Sequence, residues 1–153
     1  MSLLSYFRLL RPVNLGVLIL TQVIVYLTLP DTGCFTFAMD FRFAVLIICT
    51  LCLASAGYVI NDYFDAKIDL INKPDKMVLD TRLNRRYAIG LHVLLNFVAI
   101  LAGFYLSLRL GIFNTGVAVA LLLYSVALKK RFLIGNLFVA ALMGLVVFVV
   151  WLF

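Results

Sequence analysis

The sequence predicts an all-α, multi-span transmembrane bundle of about five helices. Three observations predict it. The 153 residues are 65% hydrophobic, with a mean hydropathy of +1.14, whereas a soluble domain sits nearer half apolar. The apolar residues fall in charge-free blocks of roughly 18 or more, the length that crosses about 30 Å of hydrocarbon. In water, several helices that are apolar all round would find too small a core to bury them.

The elements follow in order. Residues 1–12 read as an interfacial segment, with Arg8, Arg11 and Pro12 ahead of the first span. Span one covers 13–29 and is closed by the turn cluster Pro30-Asp31-Thr32-Gly33. Span two covers 43–60 and runs without a charge into Asn61-Asp62; the polar stretch 65–86 follows. Span three covers 87–108, and Arg109-Leu110-Gly111 reads as a tight connection to span four, 112–128. Lys129-Lys130-Arg131 precedes span five, 132–153. The whole chain, 1–153, reads as a single membrane domain. It stops at Phe153 with no polar tail, which reads as a fragment of a longer chain.

The net charge is +6. In a soluble protein that excess would suggest nucleic acid. In a membrane chain it bears on topology, and no nucleic-acid partner is expected. With the N-terminus in the cytoplasm, eleven of the thirteen basic residues lie on the cytoplasmic side, leaving only Arg42 and Arg109 opposite. Five spans then put the C-terminus outside, in an integral protein of the cell membrane. Arg82, Arg85 and Arg86 read as topogenic or lipid-headgroup contacts. No secretory signal is evident. Cys49 and Cys52 make a C-x-x-C inside an apolar helix with no second pair nearby, so they read as small buried hydrophobes.

One stretch carries chemistry. Asn61, Asp62, Asp65 and Asp69 fall within an arc of roughly 100° on a helix. Like charges at i,i+3 and i,i+4 repel, so the stripe costs stability unless a cation sits among them. Oxygen donors without His or thiolate favour a hard ion such as Mg2+, which takes one or two carboxylates and completes its shell with water and phosphate. A solvated helix end is the competing interpretation. Ionisable groups facing a bundle interior are expensive in a membrane and usually functional.

The run Gly57-Tyr58-Val59-Ile60-Asn61-Asp62-Tyr63-Phe64-Asp65-Ala66-Lys67-Ile68-Asp69-Leu70-Ile71-Asn72-Lys73-Pro74-Asp75 resembles the first aspartate-rich motif, N-D-x-x-D-x-x-x-D, of the UbiA superfamily of intramembrane prenyltransferases. Arg11-Pro12-Val13-Asn14 is similar to that family's R-P-x-N at its first helix. Tyr124-Ser125-Val126-Ala127-Leu128-Lys129 with Gly135-Asn136 is similar to its Y-S-x-x-L-K…G-N segment. The resemblance covers essentially the whole chain, but only the first half of the family's usual nine-helix chain. It implies that Asn61, Asp62, Asp65 and Asp69 hold Mg2+ and the diphosphate of an isoprenyl donor. Lys129 would neutralise the diphosphate; Asp65 and Lys129 would be catalytic. Asn14, Asn61, Asp62, Lys129 and Tyr124 would contact substrate, and the faces of Tyr58, Tyr63 or Tyr124 would stabilise a carbocation, although packing explains each tyrosine singly.

Two departures matter. Lys76-Met77 stands where many relatives have Arg-Pro, so a forked donor is replaced by a point charge. No acid follows Asp80, so the second aspartate-rich motif of the family's later half is missing, and a C-terminal half would have to supply it. The continuation Ile71-Asn72-Lys73-Pro74-Asp75 looks most like the branch that prenylates geranylgeranylglycerol phosphate. The rivals are an aromatic-acceptor prenyltransferase of quinone, haem or chlorophyll synthesis, an inactive or split half-enzyme, and a small cation transporter. His92 reads as a packed or interfacial residue; Asn96 and Asn114 read as bonds between helices.

Overall fold

Among the described residues, five α-helices form where the apolar blocks predict them. They are seen in a computed structural model that describes residues 10–28, 40–72 and 85–153, and only the backbone of 66–72, 85, 130 and 132. Helix α1, Pro12–Thr28, begins on a proline, whose missing N–H costs nothing in a first turn. Helix α2, Phe41–Asn72, is 32 residues long. Asp40 caps it by accepting the Phe43 N–H at 3.0 Å. The apolar span ends at residue 60, and the helix carries on through the whole aspartate motif, as the shared helical arc of Asn61, Asp62, Asp65 and Asp69 expects. It is described as far as Asn72.

Helices α3, Arg85–Leu106, and α4, Leu108–Val126, form a hairpin. Its connection is the single residue Ser107, whose hydroxyl accepts the Leu110 N–H at 3.2 Å. The connection predicted at Arg109-Leu110-Gly111 is therefore corrected: those residues lie in the first turns of α4. Glycines let the two helices approach this closely. A Cβ on Gly103 would strike the Asn114 side chain, and one on Gly111 would strike the Phe104 ring. A 3-10 turn, Leu128–Lys130, then leads into α5, Phe132–Leu152. Helices α2 to α5 are long and apolar enough to cross a membrane. At 17 residues, α1 meets the lower end of the spanning range.

The two ends of the bundle differ. At one end Arg11 reaches the aspartate motif of α2. At the other, Tyr26, Phe43, Leu46, Leu106, Leu110, Val149 and Val150 pack as a buried cluster, with Phe113 and Phe153 against it. Residues 11 and 153 thus lie at opposite ends, as an odd number of spans requires. Polar groups tie this far end together: the Tyr26 hydroxyl donates to Asp40 at 2.6 Å, and Arg42 donates to the Leu106 carbonyl at 3.1 Å while lying over the Phe153 ring. Burial pushes the Asp40 carboxyl up. The hydrogen bonds from Tyr26 and the Phe43 and Arg42 backbone outweigh it, with help from the Arg42 charge, and hold it below the usual range.

Polar side chains also stitch the middle. Asn114 on α4 donates to the Ala99 carbonyl of α3 at 2.9 Å, the interhelical bond expected of it. His92 packs between α3 and α2, donating through Nδ1 to the Ala56 carbonyl at 3.0 Å. Asn96 behaves differently from the expectation: its amide donates to the His92 carbonyl of its own helix at 3.0 Å.

Candidate active site

The site is built on the last described turns of α2, where Asp62 and Asp65 sit about 60° apart around the helix. That splay sends them to different partners. Asp62 takes the guanidinium of Arg11, Nη2 to Oδ1 2.7 Å, from the start of α1. Asp65 takes the ammonium of Lys129, Nζ to Oδ1 2.7 Å, from the 3-10 turn between α4 and α5. Lys129 also donates to the Asn61 backbone carbonyl at 3.2 Å and to its side-chain oxygen at 3.3 Å. The Asn61 amide closes the cluster by donating to Asp65 Oδ2 at 3.1 Å. Asn61, Asp65 and Lys129 thus form one network joining segments 64 or more residues apart in sequence.

Arg11 was quoted in the sequence only as part of a local motif, yet it is a structural member of the site. Its guanidinium also lies over the Tyr58 ring, 5.0 Å from the centroid. Its φ of 51° makes it the one positive-φ non-glycine residue among those described. Strain of this kind persists where the surroundings enforce it. Sequence could not reveal a pairing across 51 residues.

Beneath this cluster a cavity of about 520 Å³ opens between α1, α2, α4 and α5. Its head is polar, formed by Arg11, Asn14, Tyr58, Asn61 and Tyr124. Its walls are mainly apolar, from Val17 and Leu18 on α1 to Val117 and Leu121 on α4 and Leu142 and Val146 on α5, with Thr50 and Asn114 as polar members at the deep end. Asn14 and Tyr124, both named from sequence, therefore face the same space as Asn61. Tyr124 is fixed by stacking on Phe138, centroids 5.8 Å apart and nearly parallel. Tyr63 does not join them. It packs beside Val59 and Ala88, toward α3, because it lies on another face of α2.

The oxygen-only donor set suits a hard divalent ion. Among the described residues no three acids, histidines or cysteines stand together as a ready cage. Asp62 is paired with Arg11 and Asp65 with Lys129; the Asp69 side chain lies outside the described residues. The fit is to an ion carrying few protein ligands and sharing its shell with phosphate.

Apolar helices around a cavity with a polar mouth define a class: a helical protein of the membrane with an internal site. The comparisons narrow it. The model of the UbiA prenyltransferase family matches residues 17–153, and the chain belongs to that family. It is 36% identical over 140 residues to the digeranylgeranylglyceryl phosphate synthase of Methanothermobacter thermautotrophicus, covering 92% of this chain and 47% of the relative. It is 32% identical over 151 residues to the protein of the same name from Thermococcus sibiricus, covering 95% and 50%. A solved structure described as giving structural and mechanistic insights into digeranylgeranylglyceryl phosphate synthase in membranes superposes with a TM-score of 0.82 at 26% identity, over 95% of this chain and 50% of that one. The chain thus spans about half the length of the relatives it matches. It is an integral membrane protein of a divalent-metal-dependent prenyltransferase family.

Proposed function

We propose that this chain forms the donor-binding half of a prenyltransferase that moves a geranylgeranyl group from its diphosphate to geranylgeranylglyceryl phosphate. The observation that carries this is the Asn61–Asp65–Lys129 network standing directly over an apolar cavity. A diphosphate fits the charged mouth and an isoprenoid tail fits the cavity. The relatives' shared name supports the acceptor.

Each residue then has a task. Lys129 sets a compact positive charge where the leaving diphosphate gathers electrons as its bond to the allylic carbon breaks, and Arg11 adds a planar fork of donors. Asn61 and Asp65 keep the Lys129 ammonium aimed at the mouth. Mg2+, held by Asn61, Asp62, Asp65 and Asp69, would supply further neutralisation of the diphosphate. The faces of Tyr58 and Tyr124 border the place where the tail begins and favour developing positive carbon. Apolar walls keep out water that would capture that carbon first. The motif end faces the cytoplasm in this proposal, on the eleven-to-two division of basic residues.

The acceptor is tested in nanodiscs with the chain joined to the second half of the M. thermautotrophicus relative and radiolabelled geranylgeranyl diphosphate. Transfer to geranylgeranylglyceryl phosphate should exceed transfer to an aromatic acceptor by about 100-fold or more, the discrimination polar recognition commonly gives. Preference for the aromatic acceptor would overturn the acceptor assignment.

A further inference from the structure

The cavity has a measurable depth. On α2 its lining runs from Asn61 down to Thr50, and on α4 from Tyr124 down to Phe113; each stretch is about 16 Å at 1.5 Å per residue. On α5 it runs from Val139 to Val149, about 15 Å. Three of the four lining helices therefore agree on one length; along α1 the lining runs only from Arg11, just ahead of the helix, to Leu18, about 10 Å. The cavity also has a floor. Phe113 and Val149 line it and also belong to, or pack against, the buried far-end cluster of Tyr26, Phe43, Leu46 and Leu110. The Phe113 ring is backed by Phe148, 6.0 Å between centroids.

A floor of packed side chains is a length limit. An extended chain advances about 1.2 Å per main-chain bond, so an isoprene unit with four such bonds spans about 5 Å. Between three and four units fill the space from Asn61 to Phe113. The diphosphate sits above Asn61, level with Asp65, so a fourth unit begins at the mouth and ends on the floor. The tail arrives from lipid, which is as apolar as the cavity, so a longer tail gains little by burial. An extra unit must instead displace a packed core, which is costly.

We propose that Phe113, seated with Val149 on the far-end cluster, sets the donor length at four isoprene units. This rests on the prenyl-diphosphate function above. It makes Phe113 a specificity-determining residue remote from the chemistry. It also gives Val117, one helical turn nearer the mouth and lining the same wall, the power to raise the floor by about 6 Å, or one unit.

The test uses the 153-residue chain in nanodiscs with Mg2+ and a geranylgeranyl diphosphate that carries a diazirine on its last isoprene unit. After irradiation, labelled peptides are mapped, and unlabelled diphosphates of three, four and five units compete. Labelling is expected at Phe113, Leu145 or Val149, with the five-unit competitor about tenfold or more weaker than the four-unit one. Phe113→Ala should close that gap. Val117→Phe should weaken the four-unit competitor about tenfold or more and spare the three-unit one. Because the two variants move the floor in opposite directions, misfolding of one leaves the other decisive. Competable labelling that maps elsewhere, or an unchanged length preference in a folded variant, would overturn the floor and leave the donor-binding function standing. Absence of any competable labelling would overturn both.

Discussion

Asp65→Ala should abolish prenyl transfer in the enzyme completed with a second half, by about 10³-fold or more in kcat. Asp65 receives Lys129 at 2.7 Å and the Asn61 amide at 3.1 Å, so its removal frees the ammonium from its aim as well as deleting a carboxylate. Loss of a single preorganised electrostatic contact already costs roughly 10²–10³ in rate. Here one substitution disturbs a donor, a cation and a proposed metal ligand together. Asp65→Asn should recover little, since the neutral amide cannot hold Lys129 by charge. His92→Ala is the control. His92 contacts the Ala56 carbonyl on the side of α2 facing α3, so the change should loosen that packing and leave kcat within about threefold, as expected of a substitution made away from the reacting groups. The measurement is initial rates with radiolabelled donor, with thermal denaturation of each variant to separate folding from chemistry. An Asp65→Ala enzyme that is folded and retains a tenth of its activity would remove Asp65 from the proposed chemistry.

The 153 residues alone should give no detectable transfer, and joining them to a relative's second half should restore it. The gain should be at least about 10³-fold, because a leaving diphosphate needs charge neutralisation from both sides and each lost contact is multiplicative in rate. In this sequence no acid follows Asp80. The resemblance places the second aspartate-rich motif in the later half. Purified chain, complemented chain and complemented chain carrying Asp65→Ala should be assayed side by side. Turnover by the chain alone at the complemented rate would show that the second motif is dispensable.

How much of this was legible beforehand varied with the physics. Hydrophobic block length fixes the number of helices, because crossing a membrane demands a minimum apolar run. It does not fix where a helix stops. The apolar run of α2 ends at residue 60, yet the polar residues beyond it share one stripe, which does not interrupt a helix, and α2 is helical through Asn72. The reversal between α3 and α4 is predicted at Arg109-Leu110-Gly111. The glycine instead gives the two helices room to touch, and Ser107 makes the turn by capping α4. The acidic stripe was legible because helical spacing is local. The ion pair from Arg11, the cavity and its floor were not, since each depends on segments brought together only by folding. Tyr63 shows the same limit: its motif position suggested the reaction site, and packing turns it toward α3.

The most direct test of the central claim is equilibrium binding of Mn2+, as a spectroscopic stand-in for Mg2+, to the chain in nanodiscs with and without a non-reactive geranylgeranyl thiolodiphosphate. In the resting structure Arg11 and Lys129 occupy Asp62 and Asp65. A donor diphosphate can draw both cations to itself and release the carboxylates. Mn2+ uptake should therefore require the donor analogue, strengthening about 100-fold with it, a coupling within the range two ligands at linked sites commonly show, and Asp65→Ala should lose that gain. Equal Mn2+ binding without the analogue, as a cation transporter would show, or full uptake by Asp65→Ala, would contradict the account.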